Sequence, residues 1–247
     1  MSDDTQWTLL LRPEDGAPKS FCTIHRCGSW LAVRQGRVKT FGAGPTVTMP
    51  TAEAARQRVV ELVEEKRGEG FAVARTSGCD PAAFDYQLLV EDIVEGARRA
   101  FEAVRAARSD ERIDAYALYS DGGAMTIVCA ADSTEARGGA GDERRWCCQE
   151  WPYVGEGSEH LEVAYRRILT LHDGPLKPPA GFEDRVFDAC LRALERLDGE
   201  GFFGVGAERE RALVTFEPYA GSDPLDAIQR LNPEAVYATY LALRSQD

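Results

Sequence analysis

Trp30-Leu31-Ala32-Val33-Arg34-Gln35-Gly36-Arg37-Val38-Lys39-Thr40-Phe41-Gly42 is the stretch from which the fold of this chain is read. Its first half alternates as a strand does. Trp30, Ala32 and Arg34 share one face, and Leu31, Val33 and Gln35 share the other. Gly36 breaks the run and Arg37 to Phe41 resumes it; a glycine there lets the backbone turn or lets a neighbour come close. From Ala17 to Ala52 there is no Asp or Glu, yet Lys19, Arg26, Arg34, Arg37 and Lys39 fall in that window. The expectation is a cationic β surface with Trp30, Arg34, Gln35, Arg37 and Lys39 as its contact residues.

Working outward, Trp7 to Leu11 reads as a strand closed by the turn Pro13-Glu14-Asp15-Gly16, and Ser20 to Arg26 as a second strand. Gly42-Ala43-Gly44-Pro45 ends the strand that follows Gly36. Thr51 is the expected N-cap of a helix that places Ala55, Val59, Leu62 and Val63 on one face. That helix stops near Gly68 and Gly70, and Phe71 is expected to pack back on the sheet.

The Gly36-Arg37 step, Gly42 five residues later, the helix from Glu53 to Glu65, and Lys66 with Gly70-Phe71 resemble a WGR domain over about residues 5–75. WGR domains bind DNA ends in poly(ADP-ribose) polymerases, and they occur in many bacterial proteins of unclear role. The resemblance therefore implies an antiparallel sheet with one long helix and contact with nucleic acid. Gln35 stands where the family's tryptophan would be, and Lys39 replaces a common glycine. Gln lacks the flat apolar face that stacks on a base or sugar.

Thr76-Ser77-Gly78-Cys79-Asp80-Pro81 reads as a linker, giving domains 1–78 and 79–247. A helix follows from about Phe84 to Ala107 with the stripe Leu89, Ile93, Ala97, Phe101 and Val104. Ile113 to Tyr119, the turn Ser120-Asp121-Gly122-Gly123 and Met125 to Ala130 read as a hairpin. Asp132 to Arg145 reads as a surface loop, and Gly174 to Pro179 as a stiff connector. Helices are expected at His160 to Leu171, Glu183 to Leu197 and Pro233 to Leu243, with a strand at Ala212 to Phe216. Tyr116-Ala117-Leu118-Tyr119 with its Asp-Gly-Gly turn, Trp146 with Glu150-Trp151, Leu197-Asp198 before Gly201-Phe202-Phe203-Gly204, and Leu231-Asn232-Pro233 resemble domain of unknown function 4303 over about residues 82–247. The fold class expected is α+β: the sheet with one long helix, then an α/β domain with flanking helices.

Charge divides the same way. Residues 1–80 carry 11 Lys/Arg against 10 Asp/Glu, and residues 81–247 carry 18 against 31, which together make the net charge of −12. An acidic body repels nucleic acid at long range, so any such contact is local to the N-terminal face, weak and salt-dependent. The same positive face could instead dock on the acidic second domain. An acidic start, Met1-Ser2-Asp3-Asp4, and the lack of a long apolar run predict a cytoplasmic protein with no membrane partner and reduced cysteines.

Three constellations invite chemistry. Cys22, His25 and Cys27 lie close in sequence, but a closed metal site takes about four ligands and His25 and Cys22 point to opposite faces of a strand. Cys147-Cys148 could hold a nucleophile aided by His160 or His172, yet spacing brings neither histidine to the thiols. Asp121, Glu150 and Asp198 have no deducible pairing, and turns and helix ends favour Asp anyway. No catalytic residue, metal or cofactor is expected. The leading reading is a non-enzymatic cytoplasmic binding protein that contacts nucleic acid or a protein. The alternative is an immunity-type protein whose acidic domain masks a basic toxin, and an enzyme comes third.

Overall fold

The computed structural model describes residues 5–78, 80, 83–137, 142–172, 175, 177–219 and 221–245. Cys79 and Pro81 of the expected linker, Gly174 and Leu176 of the expected connector, and residues 138–141 of the expected loop lie outside them. The strands are β1 (Thr5–Glu14), β2 (Ala17–Cys27), β3 (Trp30–Arg37), β4 (Thr46–Thr48), β5 (Ala72–Ser77), β6 (Ile113–Tyr119), β7 (Val128–Ser133) and β8 (Leu213–Glu217). The helices are α1 (Ala52–Gly68), α2 (Tyr86–Ala107), α3 (Thr134–Arg137), α4 (Glu162–Leu169), α5 (Phe182–Gly199), α6 (Leu225–Leu231) and α7 (Glu234–Arg244). The mixed α+β class follows. The chain forms two compact units, one of residues 1–85 with 162–182, the other of residues 86–161 with 183–247. Residues 162–182, which the sequence reading places in the second domain, thus pack with the first unit.

The first unit is built on a five-stranded antiparallel sheet in the order β4-β3-β2-β1-β5. Period-2 alternation splits its side chains cleanly. Leu10, Cys22, Ile24 and Leu31 face α1 and meet Val59, Leu62 and Phe71. Trp7, Leu9 and Phe21 face the other way and meet Val163 of α4. Thr51 caps α1 as its sequence suggests, its hydroxyl accepting the Ala54 N–H at 3.0 Å.

Two expectations around the opening stretch, and one at the far edge of the sheet, are corrected. Gly36 does not break the strand: β3 runs through it to Arg37, because Phe21 pairs with Gly36 and Ser20 with Arg37. Val38 to Phe41 is a turn rather than a strand, with Lys39 at φ +65°. The chain then returns alongside β3, pairing Ala43 with Gln35 before β4. Gly42 explains why a glycine sits there. Its φ is +73°, and a Cβ would stand 2.4 Å from Phe21 Cζ and 3.0 Å from the Gln35 carbonyl oxygen. At the far edge, Thr76 and Ser77 belong to β5 instead of a linker.

The second unit holds a three-stranded sheet in the order β7-β6-β8, with β6 and β8 parallel. The predicted stripe on α2 is its buried face: Leu89, Ile93, Ala97, Phe101 and Val104. The link from β6 to β7 spans Ser120 to Ile127, longer than a tight hairpin, because Asp121 organises it. Asp121 Oδ1 accepts the N–H groups of Gly123 (2.9 Å) and Met125 (3.2 Å), and Oδ2 accepts the Thr126 hydroxyl (2.6 Å). Asp132 and Ser133 finish β7 as buried residues, and Thr134–Arg137 is helical, so these positions are not loop.

Candidate functional site

The five residues singled out on β3 and its turn divide by what holds them. Arg34 is committed to the fold. Its Nη1 donates to the carbonyls of Gly44 (2.9 Å) and Val33 (3.2 Å) and to Thr46 Oγ1 (3.2 Å), stitching β3 to the returning chain. Trp30 is half-buried and meets the His25 ring edge-on at 5.2 Å and 86°. Gln35 is exposed, its backbone paired in both directions with Ala43. Arg37 and Lys39 are exposed.

What fixes the turn comes from far along the chain. The Lys39 N–H donates to Glu162 Oε2 at 3.0 Å, and the Arg166 guanidinium donates to the carbonyls of Thr40 and Phe41. Arg166 in turn donates from Nε to Glu162 Oε1 at 2.6 Å, and both side chains are almost fully buried. Burial pushes the Glu162 carboxyl upward while Arg166 and the Lys39 amide oppose that shift. With its backbone so held, the turn presents Arg37, Lys39 and the Phe41 ring, which is 59% exposed. Lys19, whose carbonyl accepts the Val38 N–H at 3.1 Å, is exposed beside them. The sequence reading missed Phe41. Its signal was an aromatic residue between the cations and Gly42.

The other constellations disperse. Cys22 belongs to the α1-facing cluster and His25 to the opposite face, beside Trp7, Thr23, Arg34 and Arg166. Burial, helped by the Arg34 charge, depresses the His25 imidazole to about 4, and burial raises the Cys22 thiol to about 11. Among the described residues no group of three or more His, Cys, Asp or Glu is placed to hold a metal ion. Cys148 is buried, its N–H donating to Glu217 Oε1 at 2.7 Å. Burial and then the Glu217 carboxylate push the thiols of both Cys147 and Cys148 up, away from the thiolate a nucleophile needs. Of the three carboxylates, Asp121 organises its own loop, Glu150 lies 4.0 Å from Arg144, and Asp198 grips Arg209.

Tyr116, Asp198, Phe202 and Asn232, singled out in the sequence, have structural tasks, and Arg105 and Arg209 serve them. Arg105 stacks on Tyr116 and Phe202 at 4.9 and 4.4 Å and donates to the Phe202 carbonyl. Asn232 behaves as an extra rung on β8, accepting the Val214 N–H at 2.8 Å and donating to the Val214 carbonyl at 2.6 Å. Arg209 ties Asp198 to the carbonyls of Ala212 and Leu231. Among the described residues no helix is long and apolar enough to cross a membrane.

No curated protein matches this chain. A crystal structure of a Bacteroides fragilis protein from a structural genomics programme is similar at 19% identity with a TM-score of 0.26. That likeness covers 28% of this chain and 19% of the other. The family profile described as domain of unknown function matches residues 93–233. Since that span exceeds half of the chain and contains the Tyr116, Phe202-Phe203 and Asn232 features above, the protein belongs to the DUF4303 family.

Proposed function

We propose that this is a non-enzymatic cytoplasmic binding protein whose first unit, WGR-like in kind, contacts nucleic acid through the turn from Arg37 to Phe41. The observation that carries this reading is the exposed Phe41 ring set among Arg37, Lys39 and Lys19 on a turn fixed by Glu162 and Arg166. An aromatic face among cations suits a base and its phosphate, and a pre-fixed backbone lowers the ordering cost of binding. The WGR-like reading is supported by the antiparallel sheet with α1 between β4 and β5 and by the tight packing at Gly42. Phe41 offers the ring that Gln35 lacks. Arg34, which donates to Gly44 and Thr46, contributes its charge beside the turn rather than a free side chain.

The test is titration of the full chain with a labelled single-stranded oligonucleotide at two salt concentrations. Three exposed cations limit the slope of log K against log salt to roughly −2 for a single strand. Phe41→Ala is expected to weaken binding by about 1–3 kcal/mol, and Arg37→Glu with Lys39→Glu to abolish it. Absence of binding by the wild type at about 50 mM salt, where electrostatic contacts are strong, refutes the reading. Recovery of a basic protein instead would favour the masking alternative.

A further inference from the structure

In the second unit, parallel pairing of Ala115 with Leu213 sets the starts of β6 and β8 side by side. The residues just before these strands include Arg112 and Arg211, so the register sets the two positions near each other. Both line a cleft of about 350 Å³, together with Asp114, Arg145, Trp146 and Glu210. Arg112, Asp114 and Arg211 also line an adjoining cavity of about 20 Å³, which confirms that the three are neighbours.

The charges in this cleft do not cancel. Asp114 is 6% exposed, accepts the Thr134 hydroxyl at 2.7 Å, and lies 3.9 Å from Arg112, a long contact for an ion pair. Arg145 is turned inward. It lies over the Trp146 ring at 5.9 Å, and its Nη2 donates to the Arg211 carbonyl at 2.6 Å. Among the described residues the Arg211 guanidinium has no ion-pair partner. Three guanidiniums thus face two carboxylates, in a chain whose net charge is −12. Adjacent like charges repel, and a planar guanidinium pair matches the paired oxygens of a phosphate or carboxylate. The remaining wall is mixed: Trp146, Ala235 and Val236 supply apolar surface beside Thr134 and Thr239.

We propose that this cleft is a binding site for a small organic oxyanion, its acidic oxygens held by Arg112 and Arg211 and its carbon body against Trp146 and Val236. The inference is independent of the basic turn in the first unit. Inorganic pyrophosphate and citrate serve as probes for the phosphate and carboxylate sources of that chemistry. Each is titrated into the full chain at constant ionic strength, followed by calorimetry. Saturable binding of at least one is expected, and the stronger probe identifies the head group. Arg112→Ala and Arg211→Ala are each expected to weaken it roughly tenfold, and Arg211→Lys to weaken it too, because the two-pronged geometry is lost. Arg99→Ala, which removes an exposed α2 side chain paired with Glu95, should change nothing. Melting curves establish that each variant is folded. If neither probe saturates by about 10 mM, where even a weak charge-assisted site is occupied, the proposal fails. It fails equally if the folded Arg112→Ala, Arg211→Ala double variant binds as well as the wild type.

Discussion

The guanidinium carbon of Arg166 stands 3.4 Å from the centroid of the Phe21 ring. One residue on, Arg167 lies over the Trp7 ring at 5.5 Å. Two consecutive arginines of α4 therefore cover two fully buried aromatic side chains on one face of the first sheet. Arg166 is enclosed so completely that its charge must be met by Glu162 and by the Thr40 and Phe41 carbonyls.

Removing one member of that pair leaves the other charged and buried. Arg166→Met is expected to destabilise the protein by about 3–5 kcal/mol. Adding Glu162→Gln should return part of that loss, since the unpaired carboxylate is then gone. Urea unfolding of the two single variants and the double variant measures the coupling. Additive effects would show that the pair does not act as a unit.

A fragment ending at Gly78 or Asp85 lacks α4 and exposes Trp7, Leu9 and Phe21 together. Such an apolar face is expected to aggregate or bind hydrophobic dye. Joining residues 1–85 to 162–182 through a Gly/Ser linker should restore a soluble unit whose tryptophan emission is blue-shifted relative to the shorter fragment. Equal behaviour of the two fragments would contradict the role assigned to α4.

Gly42→Ala forces a Cβ into Phe21 and a left-handed backbone onto alanine. Strain and overpacking together predict a loss of roughly 2–4 kcal/mol. At Gly36 the backbone is not left-handed and the nearest contacts of a Cβ are 3.0–3.2 Å, so alanine there should cost less. Thermal melts of the two variants give the order directly.

His25 couples stability to pH. Its folded value, about 4, lies below the ordinary 6.5, so the unfolded chain takes up the proton first as pH falls. Stability contributed by the neutral imidazole is present above pH 6.5 and lost on descending toward 4, by about 3 kcal/mol in full. Burial, and then the Arg34 charge, oppose its protonation; Arg166 also lines the space beside the ring, but its charge is met by Glu162. Between pH 7 and 4 the denaturant midpoint of the wild type should fall relative to that of His25→Phe, which has no group to protonate there. A parallel decline in both would sink the assignment.

Much of the architecture is decided by the sequence alone, because its signals are local. Alternation along β1, β2 and β3, the Thr51 cap, and the stripe from Leu89 to Val104 each depend on residues within one element, where the periods of strand and helix act directly. The tertiary structure decided what long-range partners determine. Arg34 and Arg37 read alike as strand cations, but only Arg34 finds the Gly44 and Thr46 oxygens ten and twelve residues on. Within the helix expected at His160 to Leu171 nothing local marks Arg166 and Arg167 for burial; Phe21, Trp7 and the carbonyls of a turn more than 120 residues earlier enclose them. Phe41 and Arg211 likewise gain meaning only from their neighbours in space, since exposure and charge balance are properties of the packed chain.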